Sequence, residues 1–373
     1  MEKTKSICFV TTGDIKSIST AKRALGMANP LANRGWKVSI IMEDTEENRI
    51  RVALECNDKV RLYFFKTTSV LKEIREKNRI IQQIRPDYLY ICAFVTRNII
   101  ALGSSYKKIV EHSELQSGIP DMKGMHKLRV LFNEFFSIFY ADYLLNASKY
   151  LQNCYLRRCR KIGQCKLPNF YFPYAYSKEV LNPINIDYKN DRFKPYQGKT
   201  IFVFLGTVTR NYGVFTILEA VEKLKSKYKD FKVLIFGRGR HYEEALSHIK
   251  TYHLSDYVEM PGYIREEDIS AYFSLADCFI SPMNDTVQDW ARCPSKLYMY
   301  LPFEKPVITC KIGEPYEVLK ETGLYYSPGN SAEMSQQMEH VIMKDFKFIP
   351  VDASLHSWNY RTQEFVNWIN QQK

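Results

Sequence analysis

The sequence predicts an α/β protein of two doubly wound domains facing each other across a cleft. Three observations carry this reading. Apolar runs of strand length alternate with helical patterns along the chain, and glycines fall at the ends of those runs. A polar stretch from Asn182 to Gly198, with Pro183 and Pro195, separates two halves of similar grammar. At 373 residues and 45% hydrophobic content, the chain is long enough for two cores. The expected division is 1–185, 199–355, and a closing helical segment 356–373.

In the first half, Ile7-Cys8-Phe9-Val10 reads as a strand, and Ser19 to Arg34 as an amphipathic helix stopped by Gly35. Lys37 to Met42 and Val60 to Phe65 are strands, and Val70 to Gln83 is a helix. Pro86-Asp87 introduces the strand Tyr88 to Cys92. Lys108-Ile109-Val110 leads into Glu111-His112-Ser113-Glu114. His126 to Arg160 reads as helical throughout. The helical spacing of Phe132, Phe135, Phe136, Phe139, Tyr140 and Tyr143 assigns most of these rings to the core.

The second half opens with the buried-strand run Ile201 to Leu205, the loop Gly206 to Val214, and a helix from Phe215 to Lys229. Val233 to Phe236 is a strand ending in Gly237-Arg238-Gly239. Then come Met260-Pro261-Gly262-Tyr263-Ile264, the run Ala276 to Pro282, a helix beginning at Pro294-Ser295-Lys296-Leu297-Tyr298, and the strand-like Lys305 to Thr309. Trp358 to Gln371 reads as a last helix. Ligands of such sheets bind beyond the carboxyl ends of the strands, where free N–H groups at helix starts favour anions.

The net charge of +12 is unevenly spread. Residues 1–190 hold 31 Lys and Arg against 18 Asp and Glu; residues 191–373 hold 22 against 23. A basic first half suggests an anionic partner: a membrane, a polyanion or a nucleic acid. Residues 115–178 alone carry ten Lys and Arg and three acids. No window approaches a membrane span, and the first apolar run is too short for a signal peptide. The nine cysteines lack zinc-site spacing, so a reducing cytoplasm is the expected compartment.

In order and spacing, Gly206 to Gly323 resembles the nucleotide-sugar domain of a glycosyltransferase of the GT-B fold, family 4 type, and the resemblance extends over nearly the whole chain. It implies two Rossmann-like domains, the first binding the acceptor and the second the donor. It also implies retaining transfer of a sugar from a nucleotide-diphosphate sugar to a glycan or lipid-linked saccharide, as in bacterial surface-polysaccharide synthesis. The expected location is the inner face of the membrane, with no nucleic-acid partner.

A departing nucleoside diphosphate gathers negative charge that must be neutralised by a metal or by fixed cations and helix starts. The chain has no Asp-X-Asp pair, so neither metal nor other cofactor is expected. The resemblance assigns the donor phosphates to Gly206, Arg210, Ser295 and Lys296, and the base to Gly237, Arg238, Gly262, Tyr263 and Ile264. The family's basic residues after the first loop glycine and before Gly213 are replaced by Thr207 and Tyr212, so Arg210 would take over. The family's two glutamates are replaced by Ala291 and Met299, and a thioether is a poor ribose ligand. Asp285, Asp289 or Glu304 would then substitute. His112 is expected at the donor sugar, with Glu114 orienting it or holding acceptor, and both are the candidate catalytic residues. Gly13 and Asp14 are expected in the acceptor loop.

Three rival readings remain. The missing glutamates suit a non-catalytic GT-B partner of another transferase. A nucleotide-sugar 2-epimerase of the same fold would need His-Arg and Glu-Asn signatures that are not found. Nucleic-acid binding has no recognition motif behind it.

Overall fold

The computed structural model describes residues 4–15, 20–119 and 122–372. The chain forms two compact units. The first runs to Ala175 and takes in Ala291–Cys293 and the segment from Ser357; the second comprises Tyr176–Trp290 and Pro294–His356.

In the first unit the strands are β1 (Ser6–Val10), β2 (Lys37–Glu43), β3 (Val60–Phe65), β4 (Tyr88–Ile91), β5 (Lys107–His112), β6 (Tyr143–Asn146) and β7 (Asn169–Tyr171). All pair in parallel, in the order β3-β2-β1-β4-β5-β6-β7. Helices α1 (Thr20–Asn33), α2 (Glu46–Glu55), α3 (Val70–Ile84), α4 (Gly124–Tyr140) and α5 (Lys149–Lys161) alternate with the strands. Parallel strands need such crossovers, and layers on both faces explain why Ile7, Cys8, Phe9 and Val10 are all fully buried. One face packs α1 and the closing helix Trp358–Gln371, through Ala24, Ala28, Leu31, Trp358 and Phe365. The other packs α3, α4 and α5, through Ile80, Ile81, Ile138, Leu151 and Tyr155.

The second unit repeats the plan. Its strands are β8 (Thr200–Leu205), β9 (Phe231–Phe236), β10 (Val258–Gly262), β11 (Cys278–Ser281), β12 (Val307–Thr309) and β13 (Leu324–Tyr325), in the parallel order β10-β9-β8-β11-β12-β13. Helices α6 (Val214–Leu224), α7 (Tyr242–Thr251), α8 (Glu266–Leu275), α9 (Val287–Ala291), α10 (Ser295–Tyr300), α11 (Gly313–Leu319) and α12 (Ser331–Met343) follow, and Trp358–Gln371 of the first unit is α13. Within this unit α6, α7 and α12 cover one face through Ile217, Leu218, Ala245, Met334 and Met338. The rings of Phe273, Phe279, Tyr300 and Phe303 pack edge-on or stacked elsewhere, Phe279 and Tyr300 lying 4.1 Å apart.

Three expectations need correction. The stretch 126–160 is not one helical pattern: Ala141 leaves the helix with extended backbone, and Tyr143-Leu144-Leu145-Asn146 enters the sheet beside β5. Four residues, three of them apolar, fit either period, and pairing partners in β5 and β7 decide the outcome. The aromatics of α4 are also divided. Tyr140 and Tyr143 are buried, but Phe132 and Phe139 are 60% and 59% exposed. The helix expected from Ser19 is described from Thr20, and Ser19 itself lies outside the described residues. The helix expected over Phe215–Lys229 is shorter, Val214–Leu224.

Candidate functional site

In the second unit the strand order reverses direction between β8 and β11, which marks the crevice where open α/β sheets hold ligands. The loops beyond these strands are laced together by backbone. Gly206 N–H donates to the Phe236 carbonyl at 2.9 Å, Gly237 N–H to the Gly262 carbonyl at 2.7 Å, and Val208 N–H to the Arg238 carbonyl at 3.2 Å. That lacing explains the glycines. Gly237 has φ +126°, and a Cβ there would meet the Gly206 carbonyl oxygen at 2.0 Å. Gly213 adopts φ +71°, and a Cβ would meet Pro282 Cβ, beyond β11, at 2.4 Å. Asn284 Nδ2 adds a bond to the Asn211 carbonyl at 2.7 Å.

Lys296 lies in this crevice. It sits in α10, is only 8% exposed, and holds its ammonium 4.0 Å over the Phe204 ring. A Cβ built on Gly206 would lie 3.4 Å from Lys296 Nζ, so the cation stands beside the first residue of the β8 loop. The neighbouring Tyr300 hydroxyl accepts from Leu205 N–H at 2.9 Å, tying α10 to the end of β8. Ser295, partly buried, opens the helix.

Arg210 is placed differently. Its guanidinium is exposed, lies 4.4 Å over the Phe215 ring, and is ion-paired with Glu244 of α7. To reach a phosphate it must exchange that partner. Arg238 stacks 4.7 Å over Tyr242, and a Cβ on Gly262 would meet its Nε at 2.9 Å, so Gly237, Arg238 and Gly262 share one corner. Tyr263 is 68% exposed and Ile264 partly buried. Met299 is partly buried in the last turn of α10. Of its possible substitutes, Asp289 accepts from the Thr286 hydroxyl at 2.7 Å, Asp285 accepts from Trp290 Nε1 at 2.8 Å, and Glu304 is exposed.

In the first unit the corresponding reversal lies between β1 and β4. Gly13, at φ +76°, follows β1; Asn48, fully buried, donates to its carbonyl and accepts from Ile15 N–H. Asp14 is partly buried beside it. Thr12 is held by Asn98 at 2.7 Å, and Asn98 accepts from the buried Lys77, which pairs with Glu73 at 2.7 Å.

His112 ends β5, 7% exposed and stacked on Tyr155 with centroids 3.9 Å apart. The Ser137 hydroxyl donates to the Glu134 carbonyl at 2.7 Å, so at 3.0 Å it accepts from His112 Nε2–H. Nδ1 then accepts from the Tyr155 hydroxyl at 3.0 Å. Burial, with Arg158 adding to it, lowers the imidazole to about 3, so the ring is neutral at physiological pH. Both ring nitrogens are thus engaged within the protein. Glu114 keeps an exposed edge. Partial burial raises its carboxyl, and the Arg292 guanidinium opposes that. His112, Ser113 and Glu114 line a cavity of about 30 Å³ with Phe94, Asn133 and Glu134. Sequence reasoning did not find Ser137, Tyr155 or Arg292, which stand 25 to 180 residues from the strand they serve and carry no local motif.

Among the described residues no group of three or more His, Cys, Asp or Glu is arranged to hold a metal ion, no cysteine is in a disulfide, and no helix is long and apolar enough to cross a membrane.

Residues 187–361 match the family model of the glycosyl transferases group 1. A stretch of 133 residues is 27% identical to a Salmonella typhimurium (strain LT2) protein provisionally described as the colanic acid biosynthesis glycosyltransferase WcaL; it covers 35% of this chain and 33% of that relative. Among solved structures, the HepE protein of Anabaena in complex with UDP-glucose superposes with a TM-score of 0.74 at 13% identity, covering 98% of this chain and 97% of that one. Sucrose-phosphate synthase of Thermosynechococcus elongatus gives 0.70 at 15% identity, covering 98% and 94%. A glycosyltransferase of Rickettsia africae gives 0.69 at 15%, with the same coverage. These likenesses give the chain the GT-B fold. The second half carries the sequence pattern of the group 1 glycosyl transferases.

Proposed function

We propose that this protein is a retaining glycosyltransferase of the family 4 type. It moves a hexosyl group from a nucleotide-diphosphate sugar to a hydroxyl of a glycan or lipid-linked saccharide in the synthesis of a surface polysaccharide, working at the inner face of the membrane. The observation that carries the reading is Lys296, a nearly buried cation beside Gly206 where the β8 and β11 loops meet. A cation fixed in a site of low dielectric stabilises a departing diphosphate more than a mobile surface charge does. The bond between the anomeric carbon and the diphosphate oxygen breaks, a bond to the acceptor oxygen forms, and the acceptor proton leaves with the diphosphate.

Lys296 and the β8 loop hold the diphosphate, and Gly237, Arg238 and the Gly262–Ile264 segment hold the base. The reaction needs no metal, because the fixed cation takes that role and the sequence has no Asp-X-Asp pair. His112, neutral and doubly hydrogen-bonded, fixes the strand end that presents Glu114 to the sugar or acceptor. The UDP-glucose bound by the Anabaena protein of like fold supports a nucleotide-sugar donor.

A thermal-shift screen with UDP-, GDP- and dTDP-sugars tests the reading. A ligand at a hundred times its dissociation constant stabilises by about 2.7 kcal/mol, a readily measured shift. A nucleotide sugar that stabilises the protein should also be consumed, in EDTA as well as in magnesium, when acceptor is added. Failure of every nucleotide sugar to stabilise the protein would remove the donor site, and a strict metal requirement would remove the fixed-cation mechanism.

A further inference from the structure

We propose that α4 is a membrane-inserting helix, whose outward apolar face enters the headgroup region of an anionic phospholipid bilayer. The residues alternate by face. Val130, Asn133, Glu134, Ser137 and Ile138 are buried toward the first unit. At the spacing of the opposite face stand Met125, Leu128, Phe132 and Phe139, which are 80%, 60%, 60% and 59% exposed. The Phe132 and Phe136 rings stack at 5.5 Å and extend the same stripe. Four large apolar side chains in one exposed line exceed the scattered single residues that any soluble surface shows.

Charge decides what covers this face. Lys123, Lys127 and Arg129 are exposed along α4, and Arg157, Arg160 and Lys161 are exposed along the neighbouring α5. The two helices are joined by the Glu134–Arg158 ion pair at 2.9 Å. Glu134, buried in that pair, is the one acidic residue of either helix, so neither presents an exposed carboxylate. A second copy docked by the same patch would set basic flank against basic flank, because a twofold interface pairs like with like. An anionic bilayer instead accepts the stripe in its interior edge and pairs the flanks with lipid phosphates. An interfacial helix of this kind lies with its apolar face roughly 5–10 Å into the boundary, within reach of Leu and Phe side chains.

The inference deepens the membrane location proposed above and rests on it, but it makes no use of the transfer reaction. The two can therefore fail separately: nucleotide binding reads one and vesicle binding the other. The experiment is co-sedimentation of the full chain with phosphatidylglycerol–phosphatidylcholine vesicles and with phosphatidylcholine alone. Wild type should bind the anionic vesicles and weaken as salt rises toward about 0.5 M. Leu128→Ser combined with Phe132→Ser, which keeps every charge, should weaken binding about tenfold or more, because the apolar area no longer enters the bilayer. Lys127→Gln with Arg129→Gln should weaken it at low salt and flatten the salt dependence. Melting temperatures of both variants should stay near wild type, since all four positions are exposed. Wild-type affinity of the serine variant would overturn the insertion. So would equal binding of wild type to neutral and anionic vesicles, or a solution dimer that the serine variant converts to monomer.

Discussion

Replacing Lys296 by methionine isolates the charge on which the proposed donor site depends. The side chain is 8% exposed, so most of its stem packs against protein, and methionine keeps that packing while removing the ammonium. In the free protein two effects oppose each other. The variant loses the attraction of the ammonium to the Phe204 ring at 4.0 Å, and it escapes the cost of holding a cation away from water. Its melting temperature should therefore move by only a few degrees. In the complex nothing offsets the loss. A charged hydrogen bond to phosphate contributes about 1.5–3 kcal/mol, so the dissociation constant should rise roughly 10- to 150-fold. Isothermal titration with the nucleoside diphosphate that best stabilises wild type reads this directly. An affinity within a factor of two of wild type, in a variant that still melts cooperatively, would refute the assignment of Lys296 to the diphosphate.

Four further outcomes follow from the same geometry. Gly237→Ala should cost about 3 kcal/mol or more, because φ +126° is strained for alanine and its Cβ would sit 2.0 Å from the Gly206 carbonyl; an unchanged melting temperature would refute the close approach. Met299→Glu should tighten nucleotide binding by about tenfold if a ribose lies at the end of α10, as a charged acceptor replaces a thioether; no gain in titration would move the ribose elsewhere. Glu114→Gln should lower turnover by about tenfold or more while nucleotide affinity stays at the wild-type value, since the donor residues belong to the other unit; an unchanged turnover would clear Glu114 of any role. His112 has a folded value of about 3 against 6.5 when free, so the unfolded chain binds the extra proton and stability should fall as pH drops below about 6.5, by up to about 1.4 kcal/mol per pH unit. The imidazole resonances should accordingly show no titration near 6.5, and an inflection there would contradict the buried, neutral ring.

What the sequence makes legible is local. The runs Ile7–Val10 and Ile201–Leu205 are apolar on both faces, and only a sheet covered on both sides buries such runs. Gly237 marks a strand end where backbone passes close to backbone, Gly206, Gly213 and Gly262 leave room for the side chains of Phe204, Pro282 and Arg238, and Pro294-Ser295 marks the start of the helix that carries Lys296. What it hides depends on partners far along the chain. Arg210 looks free in its loop, but Glu244, 34 residues away, takes its charge. The period of α4 shows that it has faces without saying which is inward, because Val130, Ile138 and Tyr140 are as apolar as Leu128, Phe132 and Phe139. β6 is hidden for a similar reason: a run of only four residues becomes a strand only when β5 is there to receive its hydrogen bonds.

The Glu111-His112 pair shows how two adjacent residues take different fates from strand geometry alone. Successive side chains of β5 point to opposite faces of the sheet. Glu111 enters the layer shared by α1 and α13. There it accepts from Arg23 at 2.6 Å and from the Tyr90 hydroxyl at 3.0 Å, with the Arg23 guanidinium 4.9 Å over the Phe172 ring. Burial raises its carboxyl, and Arg23 resists that. His112 enters the other layer, between Ser137 and Tyr155. The carboxyl end of β5 is thus pinned from both sides by hydrogen bonds to buried polar groups. A strand end held in this way cannot easily tilt, so the next residues leave the sheet in a fixed direction. Of the three that follow, Ser113 and Glu114 keep exposed surface, and only Glu114 carries a carboxyl group, which partial burial raises. The two titratable residues that end β5, Glu111 and His112, are both enclosed, and Glu114 beyond them is the one that keeps exposed surface.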